Sequence, residues 1–302
     1  MPEGHTLHRL ARRHLQTFGG ATVLVTSPQG RFAAGAALLD GTVLRSAQAH
    51  GKHLFLGFAP AQRRRADRWL HVHLGLYGTW GFGTGEPPLA KGALRLRIVS
   101  DEAWADLRGP TACELITDAE VAGIRARLGP DPLRKDAEAA DAFARIRRSS
   151  VPLGALLMQQ DVVSGIGNVY RAEVLFRHRL DPWMPGRDLA EPQWEALWDD
   201  LVVLLRDGLR RGRIVTTLPR DRPHRSGPVR TGEQHYVYRR TELPCFLCGT
   251  PVVAEPMAGR TLYRCPWCQA GAGLSAADLA ADLADADSDD LTPEQGVALE
   301  AG

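Results

Sequence analysis

The sequence lacks any uninterrupted apolar run as long as the roughly 18–20 residues that a membrane-spanning helix needs. Its first residues also lack the charged segment and the apolar stretch that make up a secretory signal, and no internal repeat is visible. These absences predict a cytoplasmic protein without membrane contact. At 302 residues, 44% of them hydrophobic, the chain is long enough to form two domains with buried cores.

Basic residues are missing from the last part of the chain. All 37 Lys and Arg precede position 270, whereas eight of the 35 acidic residues follow it, so the net charge of +2 divides into +10 for residues 1–269 and −8 for residues 270–302. A basic body suits a polyanionic partner. The acidic, Ala-rich segment 270–302 has no aromatic residues and is predicted to be a disordered or loosely helical tail. It either dampens non-specific contact with a polyanion or is simply solvated.

Cysteine is scarce, and four of the five cysteines lie within 24 residues of one another. They form two C-x-x-C pairs with 16 residues between them, namely Cys245 with Cys248 and Cys265 with Cys268. Four thiolates match the tetrahedral preference of Zn²⁺ in a closed structural site, and an iron–sulfur cluster is the main alternative. The insert is long enough for a β-hairpin that would place Arg260 near its tip. The separate Cys113 is expected to be a small buried side chain.

The spacing of the apolar residues predicts an α+β protein. Residues 7–18 have helical spacing, and short segments with partial alternation follow, separated by Gly, Pro and Asp. This pattern favours a β-sandwich with a flanking N-terminal helix, and the predicted strands are 23–25, 43–58, 69–82, 94–99 and 103–107. Helical spacing then returns, and the predicted helices are 118–128 with Asp118 as N-cap, 137–147, 153–160, 169–178 and 192–209. A basic loop follows at 212–240.

A glycine-rich segment lies between two of the predicted helices. Gly165-Ile166-Gly167-Asn168 resembles the start of a dinucleotide-binding fingerprint, but the last glycine is missing and a helix, not a strand, precedes it. The segment is better explained as a tight turn in which Asn168 caps the second helix and backbone N–H groups approach an anion. An ordinary helical turn with an Asn cap is the alternative.

Five motifs occur in an order and at spacings that together resemble one family. They are Pro2-Glu3-Gly4, Gly51-Lys52, the segment 73–78 (HLGLYG), the segment 165–173 (GIGNVYRAE) and the four cysteines. Over residues 2–269 the sequence is similar to the formamidopyrimidine-DNA glycosylase/endonuclease VIII (Fpg/Nei) family, and closer to the endonuclease VIII (Nei) type. The resemblance implies a catalytic β-sandwich domain (2–128), a helix–two-turns–helix domain with a basic loop (129–240) and a zinc finger (241–269), with damaged double-stranded DNA bound in the cleft. We expect a monomer associated with the nucleoid through DNA.

The resemblance also implies a reaction. Pro2 becomes the N-terminus once Met1 is removed, its secondary amine attacks C1′ of the damaged nucleotide, and the resulting imine leads to strand cleavage by β- and δ-elimination. An α-amino group titrates near pH 7.7–8.0, so part of it is neutral at physiological pH. Glu3 is expected to shuttle protons. Lys52, Asn168 and Arg260 match family residues that hold the phosphates beside the lesion, and Lys52 is also expected to assist proton transfer.

The preferred lesion depends on fewer residues. Leu76-Tyr77 matches the pair that fills the space left by the flipped base in endonuclease VIII-type members, whereas a strand-end pair packed in the core is the alternative. Gly75 departs from the polar residue found before this pair in some members. Together with the lack of a recognisable purine-capping loop at 212–240, the pair favours oxidised pyrimidines. A glycosylase for oxidised purines and a non-catalytic damaged-DNA-binding protein remain alternatives. His5 could contact the damaged base or cap the first helix.

Overall fold

The computed structural model describes residues 2–270 of the chain. The predicted acidic tail therefore lies outside the described residues, apart from Ala270. Among residues 2–270, no helix is long and apolar enough to cross a membrane.

The first half of the chain forms an antiparallel sheet in two layers with an N-terminal helix packed against it. Helix α1 spans Gly4–Phe18 and the short helix α2 spans Ala33–Leu39. The strands are β1 (Thr22–Thr26), β2 (Thr42–His50), β3 (His53–Ala59), β4 (Arg68–His73), β5 (Thr79–Thr84), β6 (Leu94–Val99), β7 (Ala103–Arg108) and β8 (Ala112–Ile116). Their order is β5-β7-β6-β1-β2-β3-β4-β8, and every neighbouring pair is antiparallel.

Strand β1 belongs to both halves of this sheet. Thr22 and Val23 pair with β2, whereas residues 24–26 pair with β6. The two halves enclose one apolar core, to which α1 adds Leu7 and Phe18; its strand residues include Leu54, Leu56, Leu70, Leu96, Ile98 and Leu107. Because successive side chains of a strand point to opposite faces, the inward alternation of β6 (LRLRIV) places Leu and Ile inside and Arg outside. The predicted α+β class, with a sandwich flanked by a helix, is confirmed.

The second half of the chain is helical and ends in a hairpin. The helices are α3 (Asp118–Ala126), α4 (Ala139–Ile146), α5 (Leu153–Leu156), α6 (Asn168–Arg177) and α7 (Glu191–Arg211), and the hairpin strands are β9 (Val253–Met257) and β10 (Arg260–Arg264). Short 3₁₀ turns occur at Gly186–Asp188 and Pro219–Asp221. Tyr170 and Trp194 are fully buried in the helical core. Helix α7 ends where Gly212 adopts a left-handed conformation (φ 71°), which glycine tolerates without strain.

Buried ionic groups hold the basic loop 212–240 against the helices. Glu173 of α6 accepts the backbone N–H groups of residues 236–238 at 2.7–2.9 Å. Arg177 of α6 pairs with Asp200 of α7 at 2.7 Å and donates to the carbonyl oxygen of Thr216 at 2.7 Å. The loop is therefore attached to α6 near both of its ends.

Two predicted element boundaries are wrong at the start of the helical half. The N-cap of α3 is Thr117, not Asp118, because Thr117 and Glu120 form a reciprocal capping box with bonds of 3.3 and 2.7 Å. Asp118 instead accepts the indole N–H of Trp69 at 2.7 Å. The predicted helix 153–160 is a single turn, Leu153–Leu156, because the N–H groups of Met158 and Gln159 bond to carbonyls three residues back and do not continue the α-helical pattern.

The predicted strands 43–58 and 69–82 are each two strands joined by a turn, at residues 51–52 and 74–78. Helix α2 and strand β8 were not predicted from the sequence. Helix α2 is too short for a periodic pattern, and β8 (ACELI) follows the previous strand too closely for its alternation to stand out. Cys113 in β8 is half-buried against the core, and burial raises the pKa of its thiol to about 12.

Candidate active site

Three glycines allow the N-terminus, the β2–β3 turn and the turn before α6 to meet. The backbone N–H of Gly4 donates to the carbonyl of Gly165 at 2.8 Å, and a Cβ on Gly4 would lie 2.9 Å from the Cα of Gly165. Gly51 and Gly165 have positive φ angles of 56° and 91°. A Cβ on Gly51 would lie 2.9 Å from the Cβ of Ser164. Side chains at any of these glycines would separate the three segments.

A buried carboxylate also stabilises this junction. Asp131 accepts the backbone N–H of Gly51 at 2.8 Å, the imidazole of His8 at 2.7 Å and the backbone N–H of Leu133 at 2.9 Å. Burial alone would raise the pKa of Asp131, but the bonds from His8, Gly51 and Leu133 lower it below its usual value. The carboxylate thus joins helix α1 and the β2–β3 turn to the helical half.

Glu3 is completely buried and occupies the N-terminus of α6. Its carboxylate accepts the backbone N–H groups of Gly167 at 2.8 Å, Val169 at 2.9 Å and Tyr170 at 3.4 Å. Burial raises the pKa of Glu3 above its ordinary value, although the positive charge of Lys52 and the three N–H groups act in the opposite direction. A carboxyl of this kind can carry a proton at a pH where a surface glutamate is ionised.

Lys52 follows the turn at Gly51 and lies close enough to Glu3 and Arg260 for their charges to shift its pKa. Burial lowers the pKa of Lys52, Glu3 raises it, and the positive charge of Arg260 lowers it further. Pro2, directly before Glu3, is partly exposed. The structure therefore brings together the side chains predicted for catalysis, although they are separated by about 50 residues in sequence.

Asn168 is the first residue of α6 and does not cap it. The cap position is Gly167, and the Glu3 carboxylate binds the N–H groups that a cap would bind. The Asn168 amide instead donates to the carbonyl of Thr261 in β10 at 2.9 Å. Fully buried Arg171 binds the same carbonyl at 3.1 Å and also donates to the Asn168 side-chain oxygen. Helix α6 is thereby joined to the hairpin strand that begins with Arg260.

The β4–β5 turn carries two exposed apolar side chains. Leu76 is 46% exposed and Tyr77 is 85% exposed, so neither is packed in the core. Gly75 has a φ of 66°, and a Cβ there would overlap the Thr111 hydroxyl oxygen, which explains why glycine stands at this position. His5 lies inside the first turn of α1 and is buried edge-on against Tyr170, so it does not cap the helix. Burial lowers the pKa of His5 to about 4.

The β4–β5 turn, the start of α6, residues 238–239 and the β9–β10 hairpin border a cleft of about 810 Å³. Its walls include Leu76 and Tyr77 on one side and the hairpin around Arg260 on the other, together with Asn168, Tyr238, Arg239, Pro256, Thr261 and Tyr263. The contacts of Asp131 and Arg171 were not predicted from the sequence. Arg171 lies within the 165–173 motif, but Asp131 carries no local signal because its partners His8 and Gly51 are distant in sequence.

The four cysteines of the C-terminal module converge on one point. Their sulfur atoms lie within 4.8 Å of one another, with Cys245 3.9 Å from Cys268 and Cys248 3.4 Å from Cys265. Sulfur atoms bound to one tetrahedral zinc at about 2.3 Å would be about 3.8 Å apart. The donor set and the spacing fit a metal ion, and none of the four is in a disulfide.

Two family models match the chain. The formamidopyrimidine-DNA glycosylase N-terminal domain matches residues 1–113, and the formamidopyrimidine-DNA glycosylase H2TH domain matches residues 128–219. The chain therefore belongs to the Fpg/Nei family, as the sequence motifs predicted. It is an enzyme of DNA repair in the class of DNA glycosylases with AP lyase activity.

Relatives and solved structures agree with this assignment. Endonuclease 8 1 of Mycobacterium tuberculosis (strain ATCC 25618 / H37Rv) is 51% identical over 273 residues, which cover 89% of this chain and all of that protein. The probable endonuclease 8 2 of Streptomyces coelicolor is 31% identical and covers 90% of this chain and 95% of that one. The crystal structure of the MutM (Fpg) protein from Thermus thermophilus has a TM-score of 0.70 at 28% identity, covering 89% of this chain and 99% of that one.

Proposed function

We propose that the chain excises oxidised bases from double-stranded DNA and then cuts the strand, with the amine of Pro2 as nucleophile. The observation that supports this most is the junction at which Glu3, Lys52 and the start of α6 meet beside the partly exposed Pro2. The proposal includes a division into a catalytic domain (2–128), a DNA-binding domain (129–240) and a finger (241–269). The enzyme acts as a monomer on nucleoid DNA in the cytoplasm.

The reaction begins after Met1 has been removed. The neutral secondary amine of Pro2 attacks C1′, the base leaves with the electrons of the glycosidic bond and takes up a proton, and the sugar ring opens to leave a positively charged imine. That charge acidifies the C2′ proton, whose removal expels the 3′ phosphate in the β-elimination. Removal of a further sugar proton expels the 5′ phosphate in the δ-elimination. Water then hydrolyses the imine and restores the amine.

Glu3 and Lys52 move the protons of these steps. The raised pKa of Glu3 lets its carboxyl donate a proton while the sugar ring opens, and the resulting carboxylate is stabilised by three backbone N–H groups. The lowered pKa of Lys52 makes its amine available to accept a proton from the sugar. General acid–base catalysis of this kind contributes typically ~10²–10⁴-fold in rate.

Lys52, Asn168 and Arg260 grip the phosphates beside the lesion. The amide nitrogen of Asn168 carries two hydrogens, and its bond to Thr261 uses one of them. Arg260 is exposed at the start of β10, directly after the hairpin turn. Phosphate contacts from the helical half, the sandwich and the finger would hold the backbone while the damaged nucleotide is flipped out, at a cost of a few kcal/mol of unstacking.

Leu76 and Tyr77 fill the space that the flipped nucleotide leaves. Large apolar side chains that are exposed beside a cleft are typical of a binding function, and apolar wedges commonly enter opened base steps. The pair favours oxidised pyrimidines, and so does the full-length similarity to proteins named endonuclease 8. The cysteine module holds one zinc ion through Cys245, Cys248, Cys265 and Cys268, which fixes the finger that carries Arg260.

Borohydride trapping tests the reaction. Reduction of the imine on abasic duplex DNA should yield one covalent protein–DNA adduct when Met1 is absent from the purified protein. Pro2→Gly, which replaces the secondary amine by a primary amine, should still trap DNA, but more slowly. Retention of Met1 should abolish trapping. A protein shown by mass spectrometry to begin at Pro2 that forms no adduct would contradict the proposal and favour a non-catalytic binding protein.

The preferred lesion is tested separately from the reaction. Single-turnover excision of thymine glycol and of 8-oxoguanine from otherwise identical duplexes should favour thymine glycol. The reverse order would assign the enzyme to oxidised purines instead. Replacement of Leu76 and Tyr77 by Ala should reduce excision from intact duplex more than cleavage of a preformed abasic site.

A further inference from the structure

The cleft is a site of uncompensated positive charge. Arg239 and Arg260 line it, and within residues 2–270 neither forms a salt bridge with a carboxylate. Lys52 does not line the cleft but lies near Arg260, whose positive charge lowers the pKa of Lys52. Arg239 and Arg260 are exposed. The carboxylate that lines the cleft, Glu255, is paired with Arg264 at 2.8 Å. The cleft can therefore bind a polyanion through cationic side chains that no carboxylate of residues 2–270 neutralises.

The chain itself carries such a polyanion. Residues 271–302 contain eight carboxylates and no Lys or Arg. This segment lies beyond the match to the endonuclease 8 1 relative, since that protein is covered completely by 89% of the present chain and the N-terminal family model already begins at residue 1. The acidic segment is thus an addition to a body that is otherwise matched throughout.

The point from which this segment departs is fixed on the finger. Gln269 is buried, donates to the carbonyl of Leu180 at 3.0 Å and accepts the backbone N–H of Cys265 at 3.0 Å. The next residue, Ala270, is exposed. From there 32 residues can extend over at most about 110 Å, which exceeds the roughly 50 Å diameter of a globular body of this size. The cleft, one wall of which belongs to the same finger, is within reach.

We propose that the acidic segment 271–302 binds in cis to the cleft lined by Arg239 and Arg260 and competes there with DNA. A tethered ligand acts at an effective concentration in the millimolar range, so weak contacts suffice. Undamaged DNA, which is held mainly by phosphate contacts, must then displace the segment before it binds. The proposal rests on the proposed DNA cleft and requires no step of the chemistry at Pro2.

Binding to undamaged duplex DNA provides the first test. The full chain is compared with a variant that ends at Ala270 and with a full-length variant in which all eight acidic residues are replaced by the corresponding amides. Both changes should tighten binding about five- to tenfold at low salt, which lies in the usual range for coupled sites. The logarithm of the affinity should also fall less steeply with the logarithm of salt concentration for the native chain, because DNA replaces the carboxylates already bound.

Carbodiimide crosslinking locates the contact. The chain has three lysines, of which Lys52 lies near Arg260 of the cleft, whereas Lys91 and Lys135 are exposed elsewhere. Peptide mapping should find segment 271–302 joined to Lys52, and duplex DNA should suppress that product. A shuffled tail with the same composition serves as a control and should behave as the native tail does.

Two results would overturn the proposal. One is equal affinity of the native, truncated and amide variants for undamaged DNA at every salt concentration. The other is crosslinking confined to Lys91 and Lys135. Neither result affects borohydride trapping at Pro2, so a failure here is distinguishable from a failure of the proposed reaction.

Discussion

In the proposed reaction, Glu3 has two functions that compete for one carboxyl group. As a carboxylate it satisfies the backbone N–H groups at the start of α6, and as a carboxylic acid it can donate a proton to the substrate. Complete burial shifts the balance towards the acid and raises the pKa, whereas Lys52 and the helix N–H groups keep the carboxylate accessible. A group balanced in this way can change protonation state during a catalytic cycle.

Replacement of Glu3 by Gln should separate the two steps of the reaction. The amide cannot donate a proton to the opening sugar, so excision of an oxidised base should fall by about 10²-fold or more. Cleavage of a preformed abasic site should fall much less, since that step needs only the amine of Pro2 and removal of sugar protons. Single-turnover rates on the two substrates measure the difference. Equal losses on both substrates would show that Glu3 acts mainly on the fold of the junction.

The pH dependence of excision should also reflect the protonation of Glu3. In the proposed reaction the acid form of Glu3 is the active form, and it is lost as the pH rises through the raised pKa of this group. Excision by the native enzyme should therefore decline on the alkaline side of its profile, measured as kcat/KM across the range from acid to mildly alkaline pH. The Glu3→Gln variant should lack this decline. An unchanged profile shape in the variant would assign the alkaline limb to another group.

Candidate site residues could be selected from the sequence where a motif carries them, and their roles stay predictions. Pro2, Glu3, Lys52, Asn168 and Arg260 belong to short segments whose residue types and order point to a single family. Asp131 could not be found in this way, because its partners at positions 8 and 51 are about 80 to 120 residues away and nothing near it in sequence indicates burial. A contact between distant residues leaves no trace in local composition.

At the scale of elements, the β4–β5 turn depends on Gly75. Gly75→Ala would place a non-glycine residue at a φ of 66° and a Cβ in overlap with the Thr111 hydroxyl oxygen. The backbone strain alone costs about 1–3 kcal/mol, and Thr111 must also move. Gly85→Ala is a matched control, because Gly85 has a φ of 69° with no atom within 4 Å of the added Cβ. Urea unfolding should show a larger loss for Gly75→Ala, and Thr111→Ala should restore part of the difference. Equal losses at both glycines would contradict the contact.

Helix α6 and the hairpin should behave as one binding element. Asn168 and Arg171 both donate to the carbonyl of Thr261, which neighbours Arg260. Asn168→Ala and Arg171→Met should each weaken binding to abasic duplex DNA about tenfold or more, since loss of a buried hydrogen bond also displaces Arg260. The double variant should lose little more than the worse single variant, because the residues share one partner. Additive losses in fluorescence-anisotropy titrations would show that they act separately.

Helices and strands could be predicted from the sequence where the periodic spacing of apolar residues extends over enough residues. Helices α1, α6 and α7 and strands β6 and β7 were identified from apolar spacing, and α7 carries its own stop signal in Gly212. The cap of α6 was not identifiable, because Glu3 supplies it from 164 residues away. The assignment of Asp118 as a cap failed for a local reason. Thr117 and Glu120 satisfy each other at the separation that a capping box requires, and that pairing displaces the neighbouring acid.

At the scale of the whole molecule, two halves with separate cores meet where α1 packs against α7 and through buried polar contacts at the candidate site. Glu3 and His8 reach from the first half into the second, and Asp131 reaches back to Gly51. Hydrogen bonds to charged groups contribute roughly 1.5–3 kcal/mol each when buried. These polar contacts therefore contribute to the position of Pro2 relative to α6.

Asp131 should make the docking of the two halves sensitive to acid. Its folded pKa lies below the unfolded value of about 3.9, so its contribution is complete above that value and is lost as the pH falls through the folded pKa. Asp131→Asn should lower the free energy of unfolding by about 2–3 kcal/mol at neutral pH and flatten its dependence on pH in the acid range.

Asp136→Asn is the control, since Asp136 pairs with Arg134 at the exposed surface, and it should change stability little. Urea unfolding of the three proteins from neutral pH down into the acid range measures these differences. If Asp131→Asn kept the pH dependence of the native protein, the acid sensitivity would have to come from other carboxylates and the junction would not depend on this charge.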